Sequence, residues 1–243
     1  MSDDYIFTSE SVTRGHPDKL CDQVSDAIVD HLLSLDLSAG VIAECAVASG
    51  VLFISAHYAS RANVAIADVA RDVIRRVGYT RDVFDPDACA IMTSFMDHSE
   101  RDYVPLELRS MSDSDIDTIT VKDNATMFGY ACDQTGALMP VPIWLAHELA
   151  KKLDDPAVKK QMPDLLPDAK TQVGIEFVDG RPTRIYSVTL ETSQREAGSP
   201  TAGQLREGLT ELVIKPVLAD APLPSDANTR YFINPEGPVI GGG

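Results

Sequence analysis

Basic residues are scarce in this sequence. Its 243 residues contain 21 Lys and Arg against 37 Asp and Glu, which gives a formal net charge of −16. The sequence has no cluster of Lys and Arg that could neutralise a nucleic-acid backbone or an anionic membrane, so we expect neither as a partner. If the ligand is an anion, local positive charge and metal ions must overcome the field of the whole chain.

Closely spaced cysteines and long apolar runs are also missing. The four cysteines are far apart, without a Cys-x-x-Cys pair or a zinc-ligand spacing, which predicts reduced thiols in a cytoplasmic protein. The first residues are acidic and no apolar run reaches the length of a membrane span, so nothing indicates export. The sequence also lacks a P-loop and a dinucleotide fingerprint, which argues against the commonest nucleotide-binding folds.

An order of helix, hairpin, helix and strand occurs twice along the chain. The first copy comprises a helix from Pro17, strands at 41–49 and 51–59, a helix at 66–77 and a strand at 89–95. The second comprises a helix at 140–153, strands at 171–178 and 183–192, a helix at 201–219 and a strand at 230–233. We therefore expect an internal duplication of an α/β unit. Residues 96–125, rich in Asp, Ser and Glu, are either an exposed linker or a mobile flap over a site.

The stretch from Phe7 to Asp30 carries the most chemistry. Pro17 suits the first position of a helix, so His16 lies at a helix N-terminus, where free N–H groups and the helix dipole favour anions. His16 and Lys19 would add positive charge, and Asp18 could hold a hard cation such as Mg²⁺ beside phosphate oxygens. From the pattern alone, Asp18 could equally complement the dipole and His16 be an ordinary neighbour of the cap.

Two further polar residues interrupt predicted strands. Glu44 is a single acidic residue within an apolar strand, which either faces solvent on an edge strand or needs a partner if it is buried. Lys170 enters a strand from the segment Pro167-Asp-Ala-Lys-Thr-Gln-Val173. On its own, a lysine at a strand start is normally solvated.

Several of these segments match one known family. The string Thr8-Ser-Glu-Ser-Val12, followed by Gly15-His-Pro-Asp-Lys19, resembles the N-terminal signature of the S-adenosylmethionine synthetase (methionine adenosyltransferase) family. The segments Met127–Ala131, Leu138–Pro140, Ile214–Pro216 and Phe232–Pro235, together with the segment around Lys170, are similar to that family as well. The sequence departs from the family pattern at Arg14, His57, Lys122–Ala125 and near Gly237-Pro238.

The resemblance implies an α/β (α+β) fold of repeated sheet-plus-helix domains in a pseudo-threefold arrangement. On this analogy 1–14 and 126–228 form one domain, 15–111 and 229–243 form a second, incomplete one, and 112–125 begin a third whose remainder is absent. Family members continue beyond the position of Gly243, so we expect the front part of a longer protein, inactive alone.

The resemblance also implies an enzyme that joins ATP and L-methionine to S-adenosylmethionine and releases phosphate and diphosphate. Subunits of this family self-associate, with active sites at the dimer interface, and use Mg²⁺ and K⁺. The implied site residues are His16 and Lys170 for catalysis, the same two with Asp168 for ATP, Asp18 for Mg²⁺, Glu44 for K⁺, Glu10 for the metal or substrate shell, and His57 and Asp123 for methionine. His57 stands where many members have a methionine-binding Glu.

Two other functions stay open. The chain could be a non-catalytic partner that regulates or scaffolds a full-length homologue, because half of a shared site can be donated. It could, more remotely, be an unrelated hydrolase that uses His16 and Asp18 on a polyphosphate. Cleavage of triphosphate without methionine would distinguish that hydrolase from a synthetase.

Overall fold

The computed structural model describes residues 4–99, 110–119, 124–196 and 200–241. These residues form a three-stranded and a five-stranded sheet, each covered by helices on one face. This mixed architecture confirms the α/β (α+β) class. Among the described residues no helix is both long and apolar enough to cross a membrane.

The first unit contains the three-stranded sheet. Its elements are α1 (Pro17–Leu35), β2 (Gly40–Ala48), β3 (Val51–Ala59), α2 (Ile66–Val77) and β4 (Ala90–Asp97). β2 and β3 are antiparallel, and β4 lies parallel to β3 on its other side. The hairpin turns at Ser49 and Gly50, both with positive φ, a conformation that glycine adopts without steric cost. Leu20, Val24 and Ile28 of α1 are fully buried against the sheet.

The second unit repeats this plan. Its elements are α4 (Val141–Leu153), α5 (Pro156–Gln161), β5 (Leu165–Val178), β6 (Arg181–Gln194), α6 (Ala202–Leu209), a π-helical turn (Thr210–Ile214), α7 (Lys215–Ala219) and β7 (Arg230–Ile233). β5 and β6 are antiparallel and β7 is parallel to β6. The predicted duplication is confirmed, because both the order of elements and the strand pairing recur.

Two strands extend the sheet of the second unit. β1 (Tyr5–Val12) pairs antiparallel with β5, and β8 (Val239–Ile240) pairs with the end of β6. β1 is thereby paired with a strand that lies more than 150 positions later in the sequence.

The prediction that residues 229–243 join the unit of residues 15–111 is wrong for β7 and β8. Both strands hydrogen-bond to β6 in the five-stranded sheet. The physical reason is the crossover after β6, because a helix that packs on its own sheet returns the chain to the adjacent edge as a parallel strand. The rest of the predicted domain division stays a prediction.

The segment between the units is described only in part. β4 continues to Asp97, and α3 (Asp113–Ile116) is one short helix with a capping box from Ser112. Residues 100–109 and 120–123 lie outside the described residues. The predictions of a linker or flap at 96–125, and of a third domain beginning at 112–125, stay predictions.

The segment predicted as a helix over 201–219 is helical from Ala202 to Ala219, but its hydrogen-bonding pattern changes along its length. It begins at a capping box in which Thr201 and Gln204 bond reciprocally, and its middle widens into the π-helical turn. Pro216 follows that turn and has no N–H to donate to the carbonyl of Leu212. The regular α-helical hydrogen bond is therefore lost at this point, and the widened turn lies beside the position where it is missing.

Candidate functional site

The loop after β1 is fixed to the start of β5. Thr13 is 3% exposed, and its N–H donates to the carbonyl of Ala169 at 2.9 Å. Its hydroxyl donates to the carbonyl of Pro167 at 2.6 Å and accepts from the N–H of Ala169 at 2.8 Å. The N–H of Gly15 donates to the same Pro167 carbonyl at 3.2 Å. These bonds join the N-terminal loop to residues far along the chain.

Gly15 allows the closest approach in this loop. A Cβ at this position would lie 2.5 Å from the carbonyl carbon of Pro167, well inside van der Waals contact. On the other side, the hydroxyl of Tyr79 donates to the carbonyl of Gly15 at 2.5 Å. Tyr79 belongs to the first unit, and burial raises the pKa of its phenol. The loop is therefore held from both units.

His16 is the N-cap of α1, as the sequence predicts. Its Nδ1 accepts from the N–H of Asp18 at 3.3 Å, so an uncharged ring carries its proton on Nε2. The ring is about one quarter exposed. Nε2 is therefore a hydrogen-bond donor at a helix N-terminus, where free N–H groups also favour anions.

Asp168 lies beside this histidine. Burial raises the pKa of its carboxyl group, while the nearby His16 and a hydrogen bond from Ser193 act in the opposite direction. The Ser193 hydroxyl donates to Asp168 Oδ2 at 3.3 Å. Asp168 is thus a partly desolvated hydrogen-bond acceptor. His16 and Ser193 stabilise its carboxylate, but not enough to offset its burial.

Lys170 extends the same face of β5, because it follows Asp168 by two positions. Its Nζ lies 2.6 Å from Glu10 Oε2 on β1, and Gln172 Nε2 donates to Glu10 Oε1 at 2.7 Å. The hydrogen bond from Lys170 lowers the pKa of Glu10. Glu10, His16, Asp168 and Lys170 therefore form one cluster, which we call the His16 cluster, on the face of the five-stranded sheet opposite its helices.

The side chains of Asp18 and Lys19 lie on different sides of the helix N-terminus. The Asp18 side chain is 91% exposed and lies 3.9 Å from His16 Nδ1, so its carboxylate is available at the edge of the cluster. Lys19 was expected to add charge beside His16, but its Nζ reaches the carbonyl of Val12 at 3.4 Å and lines a groove between α1 and α4. Arg14 also turns away, to Asp154 at 3.1 Å.

Glu44 and His57 lie in the other sheet, on its face opposite the helices. Strand register places Glu44, Ser55 and Ser94 in one row across β2, β3 and β4. This row lines a cavity of about 430 Å³. The next row contains Ile42, His57 and Met96.

The structure therefore divides the predicted site residues into two groups. Glu10, His16, Asp18, Asp168 and Lys170 are brought together, whereas Glu44 and His57 belong to a different sheet. Asp123 lies outside the described residues. Within the described part of the chain, no group of three or more His, Cys, Asp and Glu is arranged to hold a metal ion.

Sequence reasoning missed the residues that position the cluster. Thr13, Tyr79 and Ser193 were not selected. Ser193 bonds to Asp168, whereas Thr13 and Tyr79 bond to the carbonyls of Pro167 and Gly15, which precede the site residues Asp168 and His16. Thr13 and Gly15 fall within the N-terminal signature, which is a usable signal. Tyr79 and Ser193 come from distant segments and carry no local pattern.

Comparison with known proteins adds an independent line of evidence. The family model for the S-adenosylmethionine synthetase N-terminal domain matches residues 4–100, and the model for the central domain matches residues 118–239. S-adenosylmethionine synthases of Synechococcus sp. (strain JA-3-3Ab) and Thermosynechococcus vestitus are each 39% identical over 98% of this chain. That of Gloeothece citriformis is 38% identical over the whole chain. The chain spans 60–61% of the length of these relatives.

The contact at Gly15 can be tested by Gly15→Ala. The added methyl group clashes with Pro167, so we expect the free energy of unfolding to fall by about 1–3 kcal/mol. Chemical denaturation measures this change. Gly40→Ala is the matched control, because a Cβ there meets nothing within 4 Å. Equal effects of the two substitutions would contradict the tight packing.

The raised pKa of Asp168 predicts a pH dependence of stability. Because the folded state disfavours the carboxylate, this group stabilises the fold at low pH and loses that contribution as pH rises through its folded pKa. Asp168→Asn should therefore gain stability relative to the parent as the pH rises above about 4, the ordinary pKa of an aspartate. Ser193→Ala, which removes a donor to the carboxylate, should lose stability over the same range. Parallel curves for all three proteins would contradict the assignment.

Proposed function

Because the chain belongs to the S-adenosylmethionine synthetase family, we propose that it serves the joining of ATP and L-methionine to S-adenosylmethionine, with release of phosphate and diphosphate. The family is one of transferases. The observation that carries the proposal is the placement of Asp168 beside His16 at the N-terminus of α1, with Lys170 two positions further along β5. We propose a cytoplasmic location for this reaction.

The proposed reaction asks the protein to stabilise a leaving group. When the methionine sulfur attacks C5′ of the ribose, the bond to the triphosphate oxygen breaks and negative charge grows on that oxygen. His16 Nε2–H and the free N–H groups of α1 are donors suited to this charge. No covalent enzyme intermediate is required, so alignment of the sulfur with C5′ is the other task.

Lys170 and Asp168 have complementary proposed roles. Lys170 would neutralise phosphate charge, exchanging Glu10 for a phosphate oxygen. Glu10, a carboxylate that this exchange releases, is then available to the metal or substrate shell. Asp168 would accept a hydrogen bond from the nucleotide in exchange for the one that it accepts from the Ser193 hydroxyl.

The donor groups fit the two proposed cations. Mg²⁺ keeps several waters and takes one or two carboxylates together with substrate phosphates, which suits the exposed carboxylate of Asp18 at the edge of the His16 cluster. K⁺ takes oxygen ligands, and the row of Glu44, Ser55 and Ser94 presents three oxygen-bearing side chains. When bound, these cations would neutralise the triphosphate and order the site.

The proposed reaction also requires recognition of methionine. His57 and Asp123 are the proposed contacts. His57 can donate to a carboxylate, but a protonated imidazole does not attract an ammonium group as Glu does.

A second candidate function is that of a non-catalytic partner of a longer homologue. It is favoured by the exposed apolar side chains on the outer face of the three-stranded sheet, where Ile42, Phe53 and Met92 are 60%, 45% and 56% exposed. Such a face is typical of an interaction surface. The same face supports self-association, with active sites completed across a dimer interface.

Binding of ATP tests the His16 cluster. His16→Asn keeps an efficient N-cap but removes the Nε2–H donor, and Lys170→Gln removes the cation. We expect each substitution to weaken binding of Mg·ATP by roughly 1.5–3 kcal/mol, or about tenfold or more, as measured by calorimetric titration. His31→Asn, on the exposed surface of α1, is the matched control and should bind normally.

The products decide between the candidate functions. We expect the 243 residues alone to bind Mg·ATP without forming S-adenosylmethionine, because His16 and Lys170 are the basic side chains of the His16 cluster and offer little positive charge to a triphosphate even after Glu10 has been exchanged. Unchanged ATP binding in both variants would overturn the proposed role of the His16 cluster. Formation of S-adenosylmethionine by this chain from ATP, methionine, Mg²⁺ and K⁺ would contradict its expected inactivity alone but support the synthetase. Phosphate release without methionine would instead favour a nucleotide hydrolase.

Self-association can be tested at the exposed face. Phe53 and Met92 are neighbours across β3 and β4, so the double substitution Phe53→Ser and Met92→Ser makes the centre of the face polar. We expect a dimer for the parent chain and a monomer for this variant in sedimentation velocity. Leu37→Ser, at a 91% exposed position outside the sheet, should remain dimeric. A parent chain that is monomeric at all concentrations refutes the proposal.

A further inference from the structure

A groove of about 620 Å³ lies between α1 and α4, and its lining shares no residue with the His16 cluster. The Ser11 hydroxyl lies on its buried side and is hydrogen-bonded to His147 Nδ1 at 2.7 Å. Ser11 is 8% exposed. The fully buried Thr171 hydroxyl lies 3.3 Å from the carbonyl oxygen of Ser11 and donates to that of Ala146 at 2.8 Å. Contacts among β1, β5 and α4 therefore hold the His147 ring in place at the groove.

Two lysine side chains lie beside this imidazole. Lys19 Nζ donates to the carbonyl of Val12, at the same end of β1, at 3.4 Å, and Lys151 follows His147 by one turn of α4, so both project from one helix face. Burial lowers the pKa of His147, and so do the nearby Lys19 and Lys151, whereas Glu148 acts in the opposite direction. Lys151 Nζ lies 2.7 Å from Glu148, but its side chain is 71% exposed and such pairs are weak. An anion at this end of the groove would therefore meet three nitrogen donors.

The groove becomes acidic along α1. Asp26 and Asp30 line it together with Lys19, but they follow that lysine by two and three helical turns, which is roughly 10–17 Å along the helix axis. Exposed charges separated by more than about 10 Å are largely screened at 0.1 M salt, so these carboxylates do not prevent an anion from binding near Lys19. A third carboxylate of the lining, that of Asp154, is paired with Arg14 at 3.1 Å. The groove thus has a basic end and an acidic end.

The lining selects a class of ligand. Ala27, Val73 and Ala150 contribute apolar surface, and the volume lies in the range of small-molecule sites. Ammonium and imidazole donors match phosphate oxygens, whereas carboxylates accept hydrogen bonds and therefore match hydroxyl groups. The ligand that fits carries a phosphate at one end and hydroxyl groups on a carbon skeleton. A free phosphate ion would leave the acidic end unused.

We propose that this groove is a binding site for a sugar phosphate. Lys19, His147 and Lys151 hold the phosphate group, and Asp26 and Asp30 accept hydrogen bonds from the sugar hydroxyls. The site does not depend on the proposed synthetase reaction, which concerns the His16 cluster. It gives Lys19 an anion-binding role at a place other than the one that the sequence predicted.

A titration of the whole chain with glucose 6-phosphate, followed by NMR, tests the proposal. The chain contains five histidines, and the imidazole signal of His147 is identified by its loss in His147→Gln. Because a bound phosphate group offsets the two ammonium charges, we expect a saturable shift of this signal and a raised pKa of His147. Inorganic phosphate should bind about tenfold more weakly, because it lacks the hydroxyl groups that donate to the carboxylates. Glucose without phosphate should leave the signal unchanged.

Variants at the two ends of the groove complete the test. Lys19→Gln and Lys151→Gln each remove one charged donor from an exposed side chain, so the chain should stay folded and bind glucose 6-phosphate about tenfold more weakly. Asp26→Ala should weaken binding of glucose 6-phosphate but not that of inorganic phosphate. Lys160→Gln, on the exposed surface of α5, is the matched control and should bind normally.

The site is separated from the proposed ATP site by His16→Asn, which should leave the titration of His147 unchanged. The absence of a saturable His147 shift would overturn the proposal, as would undiminished affinity in both lysine variants. Equal affinities for inorganic phosphate and glucose 6-phosphate would refute the assignment of a sugar to the acidic end.

Discussion

The contact between the loop at Thr13–Gly15 and the strand start at Pro167–Ala169 determines the rest of the site. It consists of backbone groups and one buried hydroxyl, so little of it depends on side chains that could rotate away. Because His16 and α1 follow this loop directly, the contact sets the direction in which the helix N-terminus points. It also brings residues separated by more than 150 positions to within hydrogen-bond distance of one another. Gly15 is needed there because any Cβ would push the two segments apart.

The His16 cluster offers hydrogen-bond donors to an anion although the chain as a whole is acidic. The long-range field of the protein is negative, but the donors at the start of α1 act at contact distance, where a few oriented N–H groups outweigh distant charge. Glu10 holds Lys170 in place by an ion pair between half-exposed groups. Such pairs contribute little to stability, so the proposed exchange of Glu10 for a phosphate would cost little free energy. The ion pair therefore orients the Lys170 side chain but does not hold it strongly.

The elements were predictable where local chemistry fixes them. The hairpins at Ser49-Gly50 and Asp179-Gly180, the helix from Pro17 and the position of His16 follow from turn residues, proline and apolar spacing. The sheet to which β7 and β8 belong could not be predicted, because strand pairing between distant segments depends on the path of the whole chain. The prediction that Lys19 lies beside His16 was wrong for another reason. The flexible side chain of Lys19 can reach either of two surfaces, and only packing selects one. Tyr79 and Ser193 were invisible because their partners are remote in sequence.

The outer face of the three-stranded sheet follows a simple geometric rule. Side chains alternate between the two faces of a strand, so positions two apart present successive rows on one face. Here the rows change in character, from Ala46, Phe53 and Met92, through the oxygen-bearing Glu44, Ser55 and Ser94, to Ile42, His57 and Met96. A shift of one residue in the pairing of any strand would exchange these side chains for those that pack against the helices. The burial of Leu52 and Ile54 therefore fixes the register, and the same register aligns the oxygen-bearing side chains in one row and His57 with Met96 in the next. The apolar core thus determines which side chains stand next to one another on this surface.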